Sequence, residues 1–249
     1  MKVTGARILV VGGVHRLGGA LALDLAAHGA AVCVSSRAAG AEADAQVGAL
    51  RAAGAPAAAA VAGDVRRPTA AASLVAAAAA ALGGLDGLVY AASGPFAPRP
   101  PERLDEASWD ASLDTIAKGF FFTAVAARGR FLGGAAAGGV IVAITDYLGL
   151  QPWTAFAAHG AAKAAQIHLV KELARAWAAD GVRVCGVAPG PVDLEDDEHR
   201  AATLRAAAKV AAERLVAPAD VGAAVRFCLE TDAVTGVNVV VDNGSLVMS

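Results

Sequence analysis

Gly12-Gly13-Val14-His15-Arg16-Leu17-Gly18-Gly19 follows directly on the apolar run from Ile8 to Val11, and Leu21, Leu23 and Leu25 open an apolar helical pattern behind it. Strand, glycine turn and helix in that order form a seat for phosphate. Glycines let backbone N–H groups approach a pyrophosphate, and the positive end of the helix dipole faces it. A glycine turn alone is a weak signal. At the head of a strand–helix–strand pattern it reads as a dinucleotide site.

That pattern continues along the chain. Apolar runs that fit strands are Arg7–Val11, Ala31–Ser35, Ala57–Ala62, Gly87–Ala91, Val140–Thr145, Arg183–Val187 and Asn238–Val241. Most are unbroken rather than alternating, as expected for strands covered on both faces. Helical stretches lie between them, near 17–28, 42–53, 69–82, 107–131, 155–179 and 218–229. Seven strands joined by helical crossovers predict an α/β, doubly wound parallel sheet of Rossmann type, with helices on both faces. The alanine tract Ala76–Ala81 lies inside one helical pattern and reads as helix, not as low complexity. At 249 residues the chain fits one domain, residues 1–249.

Bulk properties exclude several function classes. A net charge of −2 leaves no electrostatic footprint for nucleic acid or an anionic membrane. Mean hydropathy is high, at +0.52. Its apolar stretches are nonetheless broken by glycine and fall short of the roughly 20 residues of a spanning helix. The first residues, Met1 to Arg7, lack a signal-peptide layout. Cys33, Cys185 and Cys228 lie far apart in apolar stretches and read as buried thiols in a reducing compartment, which predicts the cytoplasm. His15, His28, His168 and His199 have no ligand spacing, and no metal is expected.

On these residues the chain resembles the short-chain dehydrogenase/reductase family over nearly its whole length. The resemblance rests on Gly12–Gly18, Asp64-Val65, Ala91-Ala92-Ser93, Lys163, Pro189-Gly190 and Thr235-Gly236 with Asp242-Asn243-Gly244. It implies a nicotinamide dinucleotide in the turn formed by Gly12, His15, Arg16, Leu17 and Gly18. It further implies adenine against Asp64 and Val65, close backbone approach at Ala91, Ala92 and Ser93, and a carboxamide met by the backbone of Pro189, Gly190 and Val192. The Arg16-Leu17-Gly18 ending, the Ala92-Ser93 ending and Asp146 are similar to the pteridine reductase branch. The second strand ends Ser35-Ser36-Arg37, without an acidic residue for a ribose 2′-hydroxyl. Arg37 can instead pair with a 2′-phosphate, which favours NADP(H) over NAD(H); a solvated turn arginine is the alternative.

The catalytic segment departs from the family pattern. The family places a tyrosine four residues before a lysine on one helix, and here the pair is His159 and Lys163. Asp146 stands thirteen residues before His159, where the family carries serine. The family's helix asparagine falls near Ile116 and is missing, with Thr115 adjacent. The resemblance gives Lys163 the task of holding the cofactor ribose. Histidine exchanges protons in the neutral range, so an Asp146–His159 pair can serve as proton donor in the reduction of a carbonyl or a C=N bond. The alternative is a silent protein that keeps the cofactor pocket as a sensor or scaffold. Tyr147 ranks below His159 as an acid, because alternation at a strand end points it away from Asp146.

Other positions stay open between roles. Phe96, after Pro95, either stacks a flat heterocyclic substrate or anchors its loop. Trp153 lines the same mouth or packs as core. A substrate loop is expected over about 190–217. Its acidic run Asp193-Leu194-Glu195-Asp196-Asp197-Glu198 is either a solvated face or a lid that disfavours carboxylates. The resemblance implies a homotetramer with the helices near 107–131 and 155–179 across an interface. A methyltransferase with the same opening is the remaining rival, and Ser36-Arg37 together with Lys163 argues against it.

Overall fold

The computed structural model describes residues 1–94, 96, 98–133, 138–194 and 214–247. Seven strands form one sheet: β1 (Arg7–Val11), β2 (Ala31–Ser36), β3 (Ala58–Ala62), β4 (Gly87–Tyr90), β5 (Gly139–Ile144), β6 (Val182–Pro189) and β7 (Asn238–Val241). Their order is β3-β2-β1-β4-β5-β6-β7. Every pairing is parallel; Val10, for example, pairs with Val34 on one side and Val89 on the other. The predicted doubly wound sheet is therefore present. Strand order reverses between β1 and β4, and the crevice at their carboxyl ends is where ligands bind in such sheets.

Alternation along each strand divides the core in two. Ile8, Val10, Val32, Val34, Val142 and Val187 face one side, against Leu21 and Leu25 of α1 (Arg16–Ala27) and Val221 and Val225 of α7 (Pro218–Glu230). Leu9, Val11, Leu88, Tyr90 and Ile141 face the other, against Leu74 and Val75 of α3 (Pro68–Leu82), Phe120 of α5 (Gly119–Leu132) and Val170 of α6 (Ala157–Trp177). The alanine tract lies inside α3, which opens on Pro68 and closes on Gly83 in the left-handed region. Cys33, Cys185 and Cys228 are buried free thiols.

One helix differs from its expected form. The stretch near 107–131 is divided into α4 (Glu106–Leu113), a π-helical turn (Asp114–Lys118) and α5. The cause lies on β4. The Tyr90 hydroxyl donates to the Thr115 carbonyl at 2.5 Å, and a side chain at Gly119 would strike that hydroxyl. The phenol takes a carbonyl out of the regular ladder, and the helix widens to make room.

Glycine is required where β1 turns into α1. Gly12 has φ +73°, and a Cβ there would lie 2.9 Å from the Ala92 nitrogen. A Cβ at Gly18 would overlap the Gly12 carbonyl oxygen. Gly48, in α2 (Ala41–Ala52), has open space around its Cα instead. Gly18→Ala is expected to cost about 2–3 kcal/mol of stability through overpacking against backbone. Gly48→Ala is expected to add about 1 kcal/mol by helix propensity. Urea unfolding of the two variants checks both the magnitude and the opposite signs.

Candidate active site

Of the expected cofactor residues, Gly12, Gly18, Ala91 and Ala92 meet at the carboxyl ends of β1 and β4. Gly12 lies against Ala91 and Ala92, and Gly18 against Gly12 and the Ala91 methyl. The Gly12 amide donates to the Ser35 hydroxyl at 3.4 Å, which ties the turn to the end of β2. Leu17 is half-buried beneath the turn, and Arg16 takes a left-handed φ of +50° at the start of α1. His15 sits 3.3 Å from Glu42 on the surface. Arg37 is exposed just beyond β2, and Ser93 is exposed beyond β4.

Asp64 and Val65 follow β3. Val65 is buried in the same core cluster as Tyr90 and Phe120. Asp64 has a partner that its spacing did not announce. Arg66 grips both carboxylate oxygens, with Nη2 at 2.6 Å and Nε at 2.9 Å and 3.0 Å. That hydrogen-bonded guanidinium holds the Asp64 carboxyl down at about 2. Asp64 is thus a fixed anion whose remaining lone pairs stay available to an amino group.

Pro189 is the last residue of β6, and the Gly190 amide donates to the Val241 carbonyl of β7 at 2.9 Å. Val192 is half-buried and bridges to Val216. Asp242 fastens the next turn by accepting from the Gly244 and Leu246 amides. Of the expected substrate loop over 190–217, residues 195–213 lie outside the described residues, with most of the acidic run and His199. Pro95 does as well.

Asp146, His159 and Lys163 converge beyond β5. The Lys163 ammonium donates to the Ile144 carbonyl at 2.7 Å, and Asp146 follows two residues later. One Asp146 oxygen accepts from the Leu148 amide at 2.9 Å, which orients the carboxylate. The other lies 3.0 Å from His159 Nε2. His159 is only 5% exposed, and its Nδ1 is buried without a partner. A side chain at Gly149 would meet the Lys163 backbone at 2.8 Å, so glycine lets the 147–149 turn press onto α6.

Neighbouring aromatic rings complete the wall. Phe96 stacks on Phe156 with centroids 4.7 Å apart and meets the His159 ring edge-on at 4.9 Å. One Phe96 face is thus taken by protein, which narrows its expected stacking role to the other face. Tyr147 does not continue the strand but begins a 3₁₀ turn. It is buried edge-on against Trp153, and burial pushes its phenol up, so it is a poor acid. Ile116, at the family's asparagine position, is wholly buried.

Burial also acts on Lys163. Desolvation lowers its pKa to about 8 from 10.5, against the opposing pull of Asp146. Below pH 8 both folded and unfolded chains hold this proton, and burying the charge costs the fold in full. Between about 8 and 10.5 the folded chain releases it first, so this contribution to stability rises with pH. Denaturant titrations of wild type and Lys163→Met from pH 7 to roughly pH 10 check the sign. The stability difference, wild type minus variant, is expected to grow across that window.

Comparison with known proteins follows the same lines. A family model described as enoyl-(acyl carrier protein) reductase matches residues 3–245. The chain is 34% identical to 3beta-hydroxysteroid dehydrogenase 1 of Eggerthella lenta, over 96% of this chain and 93% of that protein. It is 36% identical to cis-4-hydroxycyclohexanecarboxylate dehydrogenase of Sinomonas cyclohexanicum, over 95% and 94%. A crystal structure of a short-chain dehydrogenase from Burkholderia cenocepacia in complex with NADP superposes with a TM-score of 0.88 at 29% identity, covering 99% of this chain and all of the other. In sheet order, glycine turn and sequence, the chain belongs to the short-chain dehydrogenase/reductase family.

Proposed function

We propose that this protein is an NADP(H)-dependent oxidoreductase that reduces the carbonyl or C=N bond of a small, flat ring compound, with His159 as proton donor. The observation that carries this reading is the 3.0 Å Asp146–His159 contact beside Lys163, at the strand ends that also hold the glycine cradle. When bound, NADPH supplies the hydride for the new C–H bond and leaves as NADP⁺, while the neighbouring oxygen or nitrogen takes a proton.

The cradle suits a dinucleotide, because glycine at 12 and 18 lets the turn lie directly on the backbone at the end of β1 and at Ala92, leaving main-chain amides to meet a pyrophosphate. Arg16 adds donors at the same turn, and exposed Arg37 receives the 2′-phosphate. Asp64 and Val65 frame the adenine. Ala91, Ala92 and Ser93 leave room along the ribose, and the backbone of Pro189, Gly190 and Val192 meets the carboxamide. Lys163 spends one N–H on Ile144 and keeps two for ribose hydroxyls. Asp146 orients the imidazole through Nε2, and Nδ1 is the ring nitrogen left to hand on a proton. Phe96 covers the ring of the substrate.

Two further features belong to this reading. Three buried free thiols suit a reducing cytoplasm. Trp109, Phe122, Val125 and Leu132 expose apolar surface along the 106–132 helical segment, which supports assembly into a homotetramer. The rival reading, a silent NADP(H) sensor, draws on the missing tyrosine and on an imidazole already engaged by Asp146.

His159→Ala is expected to lower kcat by about 100-fold or more while NADPH still binds, measured by turnover and calorimetry together. NADPH binding by wild type with no turnover across a carbonyl and pterin panel would instead establish the sensor. Arg37→Ala should weaken NADPH binding by about one to two decades and spare NADH. Equal weakening of both removes Arg37 from 2′-phosphate recognition.

A further inference from the structure

A cavity lies beside His159, lined by Arg99, Ser108 and Ser112 on one side and by Phe156, Ala157 and Ala158 on the other. Its two walls come from different parts of the chain. The first is the segment leading into α4 together with α4 itself. The second is the opening turn of α6, and the Arg99 amide joins the two by donating to the Ala155 carbonyl at 2.8 Å.

Two features of this cavity favour negative charge, and a third marks it as a polar site without a partner. Phe156 caps α6 without a side-chain hydrogen bond, and the amides of Ala157, Ala158 and His159 have no acceptor among the described residues. The N-terminus of a 21-residue helix therefore opens into the cavity with its dipole unopposed. Arg99 gives Nη1 to Asp105 at 2.7 Å, and its remaining guanidinium N–H groups have no acceptor among the described residues. Asp105 is itself committed, because its other oxygen caps α4 at the Ser108 amide. Finally, His159 lines this cavity and holds its buried Nδ1 unpartnered.

On the far side of His159 lies the Asp146 carboxylate. An anionic group is repelled from that side, while the Arg99 side offers it the guanidinium N–H groups left over from the Asp105 pair and the α6 amides, so repulsion and donors together orient a ligand across the imidazole. The stacked Phe96 and Phe156 rings offer an apolar edge between the two poles. From this arrangement we infer that the substrate is a carboxylate-bearing ring compound, its carboxylate held by Arg99 and the α6 amides and its reducible bond presented to His159. The inference rests on the oxidoreductase reading above for the reducible bond, and on the cavity alone for the carboxylate.

Reduction of 4-acetylbenzoate and its methyl ester, with NADPH, tests the assignment. Wild type is expected to favour the acid in kcat/KM by about 10-fold or more. Arg99→Ala should erase that preference through KM while the ester is turned over as before, and Arg99→Lys should restore part of it. An ester reduced as well as the acid, or a preference that survives Arg99→Ala, overturns the proposal. Calorimetry with 4-methylbenzoate separates the two readings. Binding that Arg99→Ala abolishes, in a protein that binds NADPH but turns over nothing in the carbonyl and pterin panel, supports the carboxylate site and overturns the oxidoreductase. Absence of binding by wild type overturns the site.

Discussion

The carbonyl of Gly12 runs so close beneath Gly18 that no side chain fits between them. The remaining site geometry depends on this approach. It brings the first turn of α1 down onto the end of β1 and sets both against Ala91 and Ala92 beyond β4. Parallel pairing on either side of β1 then fixes where β2, β4 and β5 end, so that Arg37, Ser93 and Asp146 all emerge at the same edge of the sheet. The fold places the residues, and the glycine contact leaves them a space to act on. Cβ atoms at those two positions would push the turn off the backbone beneath it.

Charge in the crevice is arranged with the same economy. Lys163 is buried with one carbonyl partner, and two of its N–H groups face no acceptor among the described residues. A buried ammonium in that state is costly, which is the physical content of its lowered pKa. Vicinal hydroxyls of a ribose would repay that cost, so the instability of the bare lysine is matched to its ligand. Asp146 is treated the opposite way. Each of its oxygens already accepts from a protein donor, so it is a positioned carboxylate and not a mobile base.

Much of this is legible in the sequence, and the exceptions share a cause. Unbroken apolar runs announce the strands, because a strand covered on both faces has no polar side to alternate with. Gly12, Gly18 and Lys163 are legible through a spacing that chemistry constrains. The π-helical turn is not legible, since it depends on a Tyr90 hydroxyl reaching a carbonyl twenty-five residues away. Arg66 clamping Asp64 was missed because an arginine two residues downstream in a loop carries no periodic signal. Arg99 and Phe156 were missed for the same reason, joined only when the loop backbone pairs at Ala155. Tyr147 was ranked below His159 on a strand alternation that the 3₁₀ turn interrupts. Burial reaches the same ranking by a different route.

An imidazole and a phenol differ in more than their acidity. A phenol has one polar atom and can serve only one partner at a time as donor. The imidazole of His159 has two, at opposite edges, and the structure uses one of them for Asp146. The ring is therefore held through one nitrogen while the other stays without a partner. On its α4 side lies the cavity lined by Arg99, Ser112 and the opening of α6. What enters must satisfy unpartnered donors on the cavity wall without crossing toward Asp146, and an anion meets both conditions.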